Sequence, residues 1–272
     1  MTLSIRHQTS YTYAPGANRV GLRLKLFPKS TPAQIVEGWE VTVNGEAIVP
    51  MLSNPFGEGE AMWFSSSPVE RIEVEANGRL ALTDTLGVLG KLGRARPGVF
   101  RRETALTAAD DALKDLAASI EGATPLDQMH ALTASVHEGI SYRKGATESS
   151  TTAAQTLALG AGVCQDLSHV FIASARLMGL PARYVTGYLL EEGDPEDLAT
   201  HAWAEVFLEG LGWTGFDPTH AVCPSDRHVR LCSGFDAADA APIRGHVTGD
   251  CEEDMDVVVE ISALPSQSQT QS

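Results

Sequence analysis

A cysteine, a histidine and an aspartate stand in three short motifs in the second half of this 272-residue chain. Cys164 follows a glycine-rich segment and precedes apolar residues with the spacing of one helix face. His201 and Asp217 come 37 and 53 residues later. A sulfur nucleophile, an imidazole base and a carboxylate that orients the imidazole are what thiol-dependent acyl transfer requires. The sequence therefore predicts Cys164, His201 and Asp217 as catalytic residues.

The position of Cys164 at the start of a predicted helix matters for its chemistry. Backbone N–H groups and the positive end of the helix lie beside a sulfur at this place, and both favour the thiolate over the thiol. The thiolate is the nucleophilic form. Asp166, two residues on, is expected to stabilise the N-terminus of the helix.

The predicted elements can bring the three residues together. Residues 201–208 and 212–217 read as strands joined by a turn at Glu209-Gly210. Antiparallel pairing about that turn would place Asp217 close to His201. A helix packed on this sheet could present Cys164 to the imidazole, which is the helix-then-sheet order of papain-like thiol enzymes.

The first hundred residues have the period-two alternation of half-buried strands. Asn44-Gly45 predicts a two-residue hairpin turn, and Asn77-Gly78 predicts a second tight turn. Several short strands at this spacing favour a β-sandwich. Residues 87–97, rich in Gly, Arg and Pro, are interpreted as a linker.

Beyond the linker the apolar period changes to that of helices. We expect N-caps at Thr107, at Thr124 before Pro125, and at Thr152. The predicted fold class is α+β: an N-terminal β-sandwich followed by a papain-like core of helices packed on an antiparallel sheet. The predicted units are residues 1–90, the catalytic domain 98–263, and a disordered tail 264–272.

Four segments together resemble the bacterial transglutaminase-like family, whose members are candidate cysteine proteases. They are GVCQD (162–166), GLPARYVTGY (179–188), HAWAEV (201–206) and GWTGFDPT (212–219), and the N-terminal block and the segment around His228, Gly234 and Pro242 also fit. The resemblance covers nearly the whole chain. It implies Cys164 as nucleophile, His201 as base and Asp217 as its partner. It leaves the reaction open among amide cross-linking, proteolysis and deamidation.

The composition limits the partners. Residues 1–100 carry 10 basic and 9 acidic side chains, whereas residues 101–272 carry 10 and 26. The acidic half argues against nucleic-acid and anionic-membrane partners. We expect a protein or peptide substrate, with an amine as a further acceptor, and the oligomeric state stays open. The acidic segment 191–197 has two interpretations: it attracts amine substrates to the site, or it is a solvated loop without a role in binding.

The chain lacks a long apolar run and an N-terminal leader, so a cytoplasmic protein is expected. Four cysteines do not make a disulfide scaffold. No cofactor or metal is predicted. Five cysteines and histidines near the C-terminus could be considered as ligands of a structural zinc ion: Cys223, His228, Cys232, His246 and Cys251. Their spacings match no familiar zinc pattern, so such a site is not expected.

Two other functions remain as alternatives. One is a cysteine peptidase or deamidase without transfer activity. The other is a catalytically silent peptide-binding module that kept the fold.

Overall fold

The computed structural model describes residues 1–190 and 200–264. In this part the chain is a mixed α/β protein with several sheets and four α-helices. The strands are β1 (Thr2–Ala17), β2 (Arg19–Phe27), β3 (Gln34–Val43), β4 (Glu46–Ala47), β5 (Leu52–Ser53), β6 (Gly59–Phe64), β7 (Val69–Leu82), β8 (Val88–Gly90), β9 (Ser141–Tyr142), β10 (Ala161–Gly162), β11 (Ala182–Leu189), β12 (Thr200–Leu208), β13 (Gly212–Phe216), β14 (His228–Gly234), β15 (Ile243–Thr248) and β16 (Glu252–Leu264). The helices are α1 (Asp111–Ser119), α2 (Pro125–Gly139), α3 (Ala153–Leu159) and α4 (Cys164–Leu177), with 3₁₀ turns at Pro97–Arg101 and Ala105–Thr107.

Two sheets form around the N-terminal block, in the strand orders β16-β1-β7-β3-β4 and β15-β2-β6-β5. Their strands alternate buried and exposed side chains, as half-buried strands do. The buried faces share one hydrophobic cluster, and this cluster continues into Tyr188, Val229 and Leu231 of β11 and β14. The N-terminal block and the C-terminal half are therefore joined by a common core.

The last two strands belong to these N-terminal sheets. β16 pairs along β1 from Thr2↔Leu264 to Ala14↔Glu252, and β15 pairs with β2. The sequence predicts these residues in the unit 98–263. Apolar periodicity shows that a strand exists, but it does not show which sheet the strand joins. Leu264, predicted in the tail, ends β16. Residues 265–272 of the predicted tail, and the acidic segment 191–197, lie outside the described residues.

One of the two turns predicted in the N-terminal block is correct. Asn44 and Gly45 both have positive φ, 51° and 80°, and connect β3 to β4. Asn77-Gly78 is no turn, because β7 runs straight through it. A Cβ on Gly78 would lie 2.1 Å from the Gly38 carbonyl oxygen and 2.8 Å from the Trp39 ring. The glycine permits close approach of the neighbouring strand.

A third sheet, in the order β14-β11-β12-β13-β8, supports the C-terminal half. Its edge strand β8 lies inside the segment predicted as a linker, so that segment is part of the sheet. α4 contacts β11 and β12 as well as α1, α2 and α3, and nearly all of its side chains are buried. This helix is the centre of the second hydrophobic cluster.

Two of the three predicted helix starts are correct. Thr124 and Thr152 cap α2 and α3, and Gly160 ends α3 in a left-handed conformation. α1 starts instead after Asp110, whose carboxylate accepts from the Leu113 amide at 2.9 Å. The hydroxyl of Thr107 bonds Arg176 in the interior. In the described part of the chain, no helix is long and apolar enough to cross a bilayer.

Candidate functional site

Cys164 is the first residue of α4 and is partly exposed. The turn before it is held by Asp166, whose Oδ2 accepts from the Val163 amide at 2.8 Å and from the Thr147 hydroxyl at 2.6 Å. The expected role of Asp166 at the helix N-terminus is confirmed. Gly162 makes the arrangement possible, since a Cβ there would lie 2.7 Å from the Cβ of Asp166.

His201 and Asp217 meet at the open end of the β12–β13 hairpin. The strands pair antiparallel from Leu208↔Gly212 to Ala204↔Phe216, so both residues lie beyond the last pair. His201 Nε2 lies 2.8 Å from Asp217 Oδ2. The other imidazole nitrogen is left for the sulfur of Cys164, whose hydrogen-bonding and charge interactions contribute to the raised pKa of His201. The structure thus brings the three predicted residues together.

The electrostatics of the site favour a charged imidazole. Burial lowers the pKa of His201, but hydrogen bonds and charges from Asp217 and Cys164 outweigh it and raise the pKa to about 10. Burial acts to raise the pKa of Asp217, yet hydrogen bonds from three imidazoles hold it well below its usual value. An imidazolium between a sulfur and a carboxylate can both stabilise a thiolate and supply a proton.

Asp217 has two further imidazole partners that the sequence did not identify as site residues. His220 Nδ1 lies 2.8 Å from Asp217 Oδ2, and His228 Nε2 lies 3.3 Å from the same oxygen. The Thr219 amide donates to Oδ1 at 2.9 Å. His220 could have been proposed from its spacing of three residues from Asp217. His228 could not, because its place depends on β14 lying beside β11.

One group in the described residues has the arrangement of metal ligands: His201, Asp217 and His220, with ligating atoms within 4.8 Å of one another. Hydrogen bonds to Asp217 already account for this convergence. The residues weighed for structural zinc are dispersed instead. Cys232 is buried in β14 and its thiol donates to the Ala240 carbonyl, whereas His246 is exposed on β15.

An oxyanion site takes a second donor besides a backbone N–H, and two polar side chains near Cys164 are candidates for it, Gln155 and Tyr142. Gln155 caps its own helix, with Oε1 accepting from the Thr152 amide at 2.9 Å. Tyr142 is exposed on β9, and β9 pairs in parallel with β10 directly before Cys164. Both residues therefore lie on elements that flank the cysteine, and neither assignment goes beyond a prediction.

Comparison with curated proteins finds relatives without an assigned activity. An uncharacterised protein of Mycobacterium tuberculosis is 35% identical over 164 residues, which is 56% of this chain and 52% of that protein. An uncharacterised protein of Mycobacterium leprae is 35% identical over 130 residues, 46% of each. The chain spans about half the length of the curated relatives it matches.

A solved structure shares the fold over nearly the whole chain. It is described as a candidate cysteine protease from Cytophaga hutchinsonii, with a TM-score of 0.76, 23% sequence identity, and coverage of 99% of this chain and 92% of that one. Two family models also match: the bacterial transglutaminase-like N-terminal region over residues 3–81 and the transglutaminase-like superfamily core over residues 114–218. The second range includes Cys164, His201 and Asp217. The chain therefore combines a transglutaminase-like superfamily core with a bacterial transglutaminase-like N-terminal region.

Proposed function

We propose that the protein is a thiol-dependent acyl-transfer enzyme that acts on peptide or glutamine carboxamide bonds through Cys164, His201 and Asp217. The observation that carries the proposal is the continuous side-chain contact from sulfur to imidazole to carboxylate. His201 and Asp217 are buried while Cys164 is partly exposed. Only the nucleophile is then open to a substrate.

In this mechanism the proton of Cys164 already lies on His201, so the two form an ion pair at rest, and the thiolate attacks the carbonyl carbon. Asp217 accepts from Nε2–H, which orients the ring and stabilises its charge. The backbone N–H of Cys164, in the first turn of α4, has no partner within the helix and can donate to the developing oxyanion. A well-aimed donor of this kind contributes about 3 kcal/mol. The amine leaves with the proton of His201, and the thioester passes to water or to an acceptor amine.

The finer structural assignments belong to the same proposal. We interpret the two packed N-terminal sheets as a β-sandwich, and α4 against the third sheet as a papain-like core. A protein or peptide substrate and a cytoplasmic location are likewise proposed. A peptidase or deamidase would use the same three residues and differ only in the acceptor, whereas a silent peptide-binding module would lack a reactive sulfur.

The test is alkylation of Cys164 by iodoacetamide at neutral pH, followed by mass spectrometry of a glutamine-containing peptide incubated with the protein and a labelled amine. We expect fast modification at Cys164, and a cross-link, a carboxamide hydrolysis or a cut in the peptide. Cys164→Ala should abolish each product while thermal unfolding stays unchanged.

The matched control is Cys223→Ala. Burial and the nearby Asp84 raise the pKa of the Cys223 thiol, which also is partly exposed. This variant should keep both the labelling and the product. Turnover by Cys164→Ala at the wild-type rate would exclude the proposed nucleophile, and slow labelling of the wild-type sulfur would favour the silent module.

A further inference from the structure

His228 is placed at the rear of the candidate site, on the first residue of β14. It is buried, with 8% of its surface exposed. Its ring packs edge-to-face on Trp203 with centroids 5.5 Å apart, and Trp203 stacks on His201. The rings of His228 and Trp203 therefore pack in series against the imidazole of His201.

The hydrogen bonds of His228 determine where its proton lies. The Ser225 amide can only donate, and it lies 3.1 Å from Nδ1, so Nδ1 accepts and carries no proton. The proton of the neutral ring is then on Nε2, which lies 3.3 Å from Asp217 Oδ2. An ionised carboxylate can only accept, so the assignment agrees from both ends.

This arrangement restrains the carboxylate from two directions. Nε2–H of His228 donates to Oδ2, and the Thr219 amide donates to Oδ1. Oδ2 is the oxygen that also holds His201. A rotation of the carboxylate away from His201 would break these bonds in the interior, where unpaired polar groups are unfavourable.

We propose that His228 is a positioning residue for the thiol chemistry: as a neutral donor it holds Asp217 in the orientation that orients His201. The inference rests on the proposed function. His228 touches neither sulfur nor substrate and acts through Asp217. Its contribution lies in the alignment of the imidazole with Cys164, where a misplacement of about 1 Å can lower the rate about 100-fold.

Three variants separate positioning from simple packing. In His228→Gln the side-chain N–H₂ can occupy the place of Nε2 and still donate to Asp217. In His228→Asn the side-chain oxygen can occupy the place of Nδ1 and accept from the Ser225 amide, but the side chain does not extend to Asp217. His228→Phe keeps the ring volume against Trp203 and makes neither bond.

The measurement is the second-order rate of Cys164 alkylation by iodoacetamide, with thermal unfolding of each variant as the check on folding. We expect His228→Gln to stay within about 5-fold of wild type, and His228→Asn and His228→Phe to fall by about 10- to 100-fold. Once a substrate is known, the loss should appear in kcat and leave KM nearly unchanged.

The outcomes are distinct. Wild-type alkylation rates in folded His228→Asn or His228→Phe would overturn the inference. An equal loss in Gln and Phe would also overturn it, because it would assign His228 a packing role. If the Phe variant does not fold, the comparison of Gln with Asn decides the question. A wild-type sulfur that fails to react refutes the proposed function instead.

Discussion

At the scale of single residues, the oxygen Oδ2 of Asp217 is where three imidazoles converge. Its distances to His201, His220 and His228 are 2.8, 2.8 and 3.3 Å. The buried carboxylate stays ionised because it accepts all these bonds. Its charge in turn contributes to the raised pKa of His201, so the two groups depend on each other.

Asp217→Asn should therefore change the titration of His201. In the wild type the imidazole should remain protonated up to about pH 10. Without the carboxylate, burial still favours the neutral ring and only Cys164 still favours the charged one, so the midpoint should fall from about 10 towards the ordinary value of about 6.5. A ¹⁵N NMR titration of the His201 imidazole measures this shift.

The control for that titration is Asp115→Asn, a matched change at an exposed position of α1. It should leave the His201 midpoint where it is. A His201 midpoint that stays near pH 10 in Asp217→Asn would mean that another group, and not this carboxylate, holds the proton on the ring.

Much of the candidate site could be predicted from residue types alone. Cys164, His201 and Asp217 are identifiable because each has a chemical role and each lies at the end of a recognisable element. His228 has the same side chain as His201 but no such signal, because only the pairing of β14 with β11 brings it to Asp217. Long-range pairing is what local sequence patterns leave out.

At the scale of elements, the turn into α4 determines where the sulfur lies. Gly162→Ala would force a Cβ to within 2.7 Å of the Cβ of Asp166 and 2.8 Å of its Oδ2. Overpacking of this kind costs about 1–3 kcal/mol. We expect that loss in urea unfolding, and a slower alkylation of Cys164 because the Asp166 cap must move.

Gly139→Ala is the matched control for Gly162→Ala. Gly139 is the last residue of α2, and a Cβ there has nothing within 4 Å. Alanine favours the helix by up to about 1 kcal/mol, so stability should be equal or slightly higher. Equal behaviour of the two variants would show that the contact between Gly162 and Asp166 tolerates a side chain.

Strand β12 carries a second buried feature of its motif, Glu205. One carboxylate oxygen accepts from Arg183 at 2.6 Å and the other from Arg230 at 2.8 Å. Arg230 also donates to Glu58, at 2.8 Å, from the segment between β5 and β6. The sheet of the C-terminal half is thus tied by ion pairs to the N-terminal block.

Glu205→Gln should leave the buried guanidinium of Arg183 without its carboxylate, and Arg230 with Glu58 alone. Removing one partner of a buried ion pair costs about 3–5 kcal/mol, because the remaining charge stays desolvated. Urea unfolding should report a loss of this size. Glu73→Gln breaks an exposed pair with Arg71 and should cost less than about 1 kcal/mol. If Glu205→Gln also lost less than about 1 kcal/mol of stability, water would have to reach the ion-pair network.

At the scale of the whole molecule, the chain returns to its beginning. The N-terminal block supplies β1 and β2, and the final residues add β16 and β15 beside them. β8, which precedes the helices, pairs with β13 and extends the sheet of the C-terminal half. The α+β class followed from the change in apolar period, whereas these exchanges involve partners more than a hundred residues apart and carry no local signal.

A buried histidine lies at the junction between the two halves. His7 on β1 is bonded through Nδ1 to the Tyr188 hydroxyl of β11 at 2.8 Å. Burial lowers the pKa of His7 to about 4, and burial also lowers the pKa of His169 on α4 to about 4. Both rings are neutral in the folded protein at neutral pH.

These two histidines should make the protein acid-sensitive. Between pH 6.5 and about 4 the unfolded chain binds protons that the folded rings reject, so stability falls as the pH is lowered through this window. The loss should reach up to about 3 kcal/mol per histidine. Urea unfolding at pH 7.5 and 4.5 measures it, and His7→Gln should reduce the loss by the contribution of one histidine, up to about 3 kcal/mol. His246→Gln, at an exposed position on β15, should retain the full pH dependence of the free energy of unfolding. If His7→Gln also retained it, His7 would not contribute to the acid sensitivity.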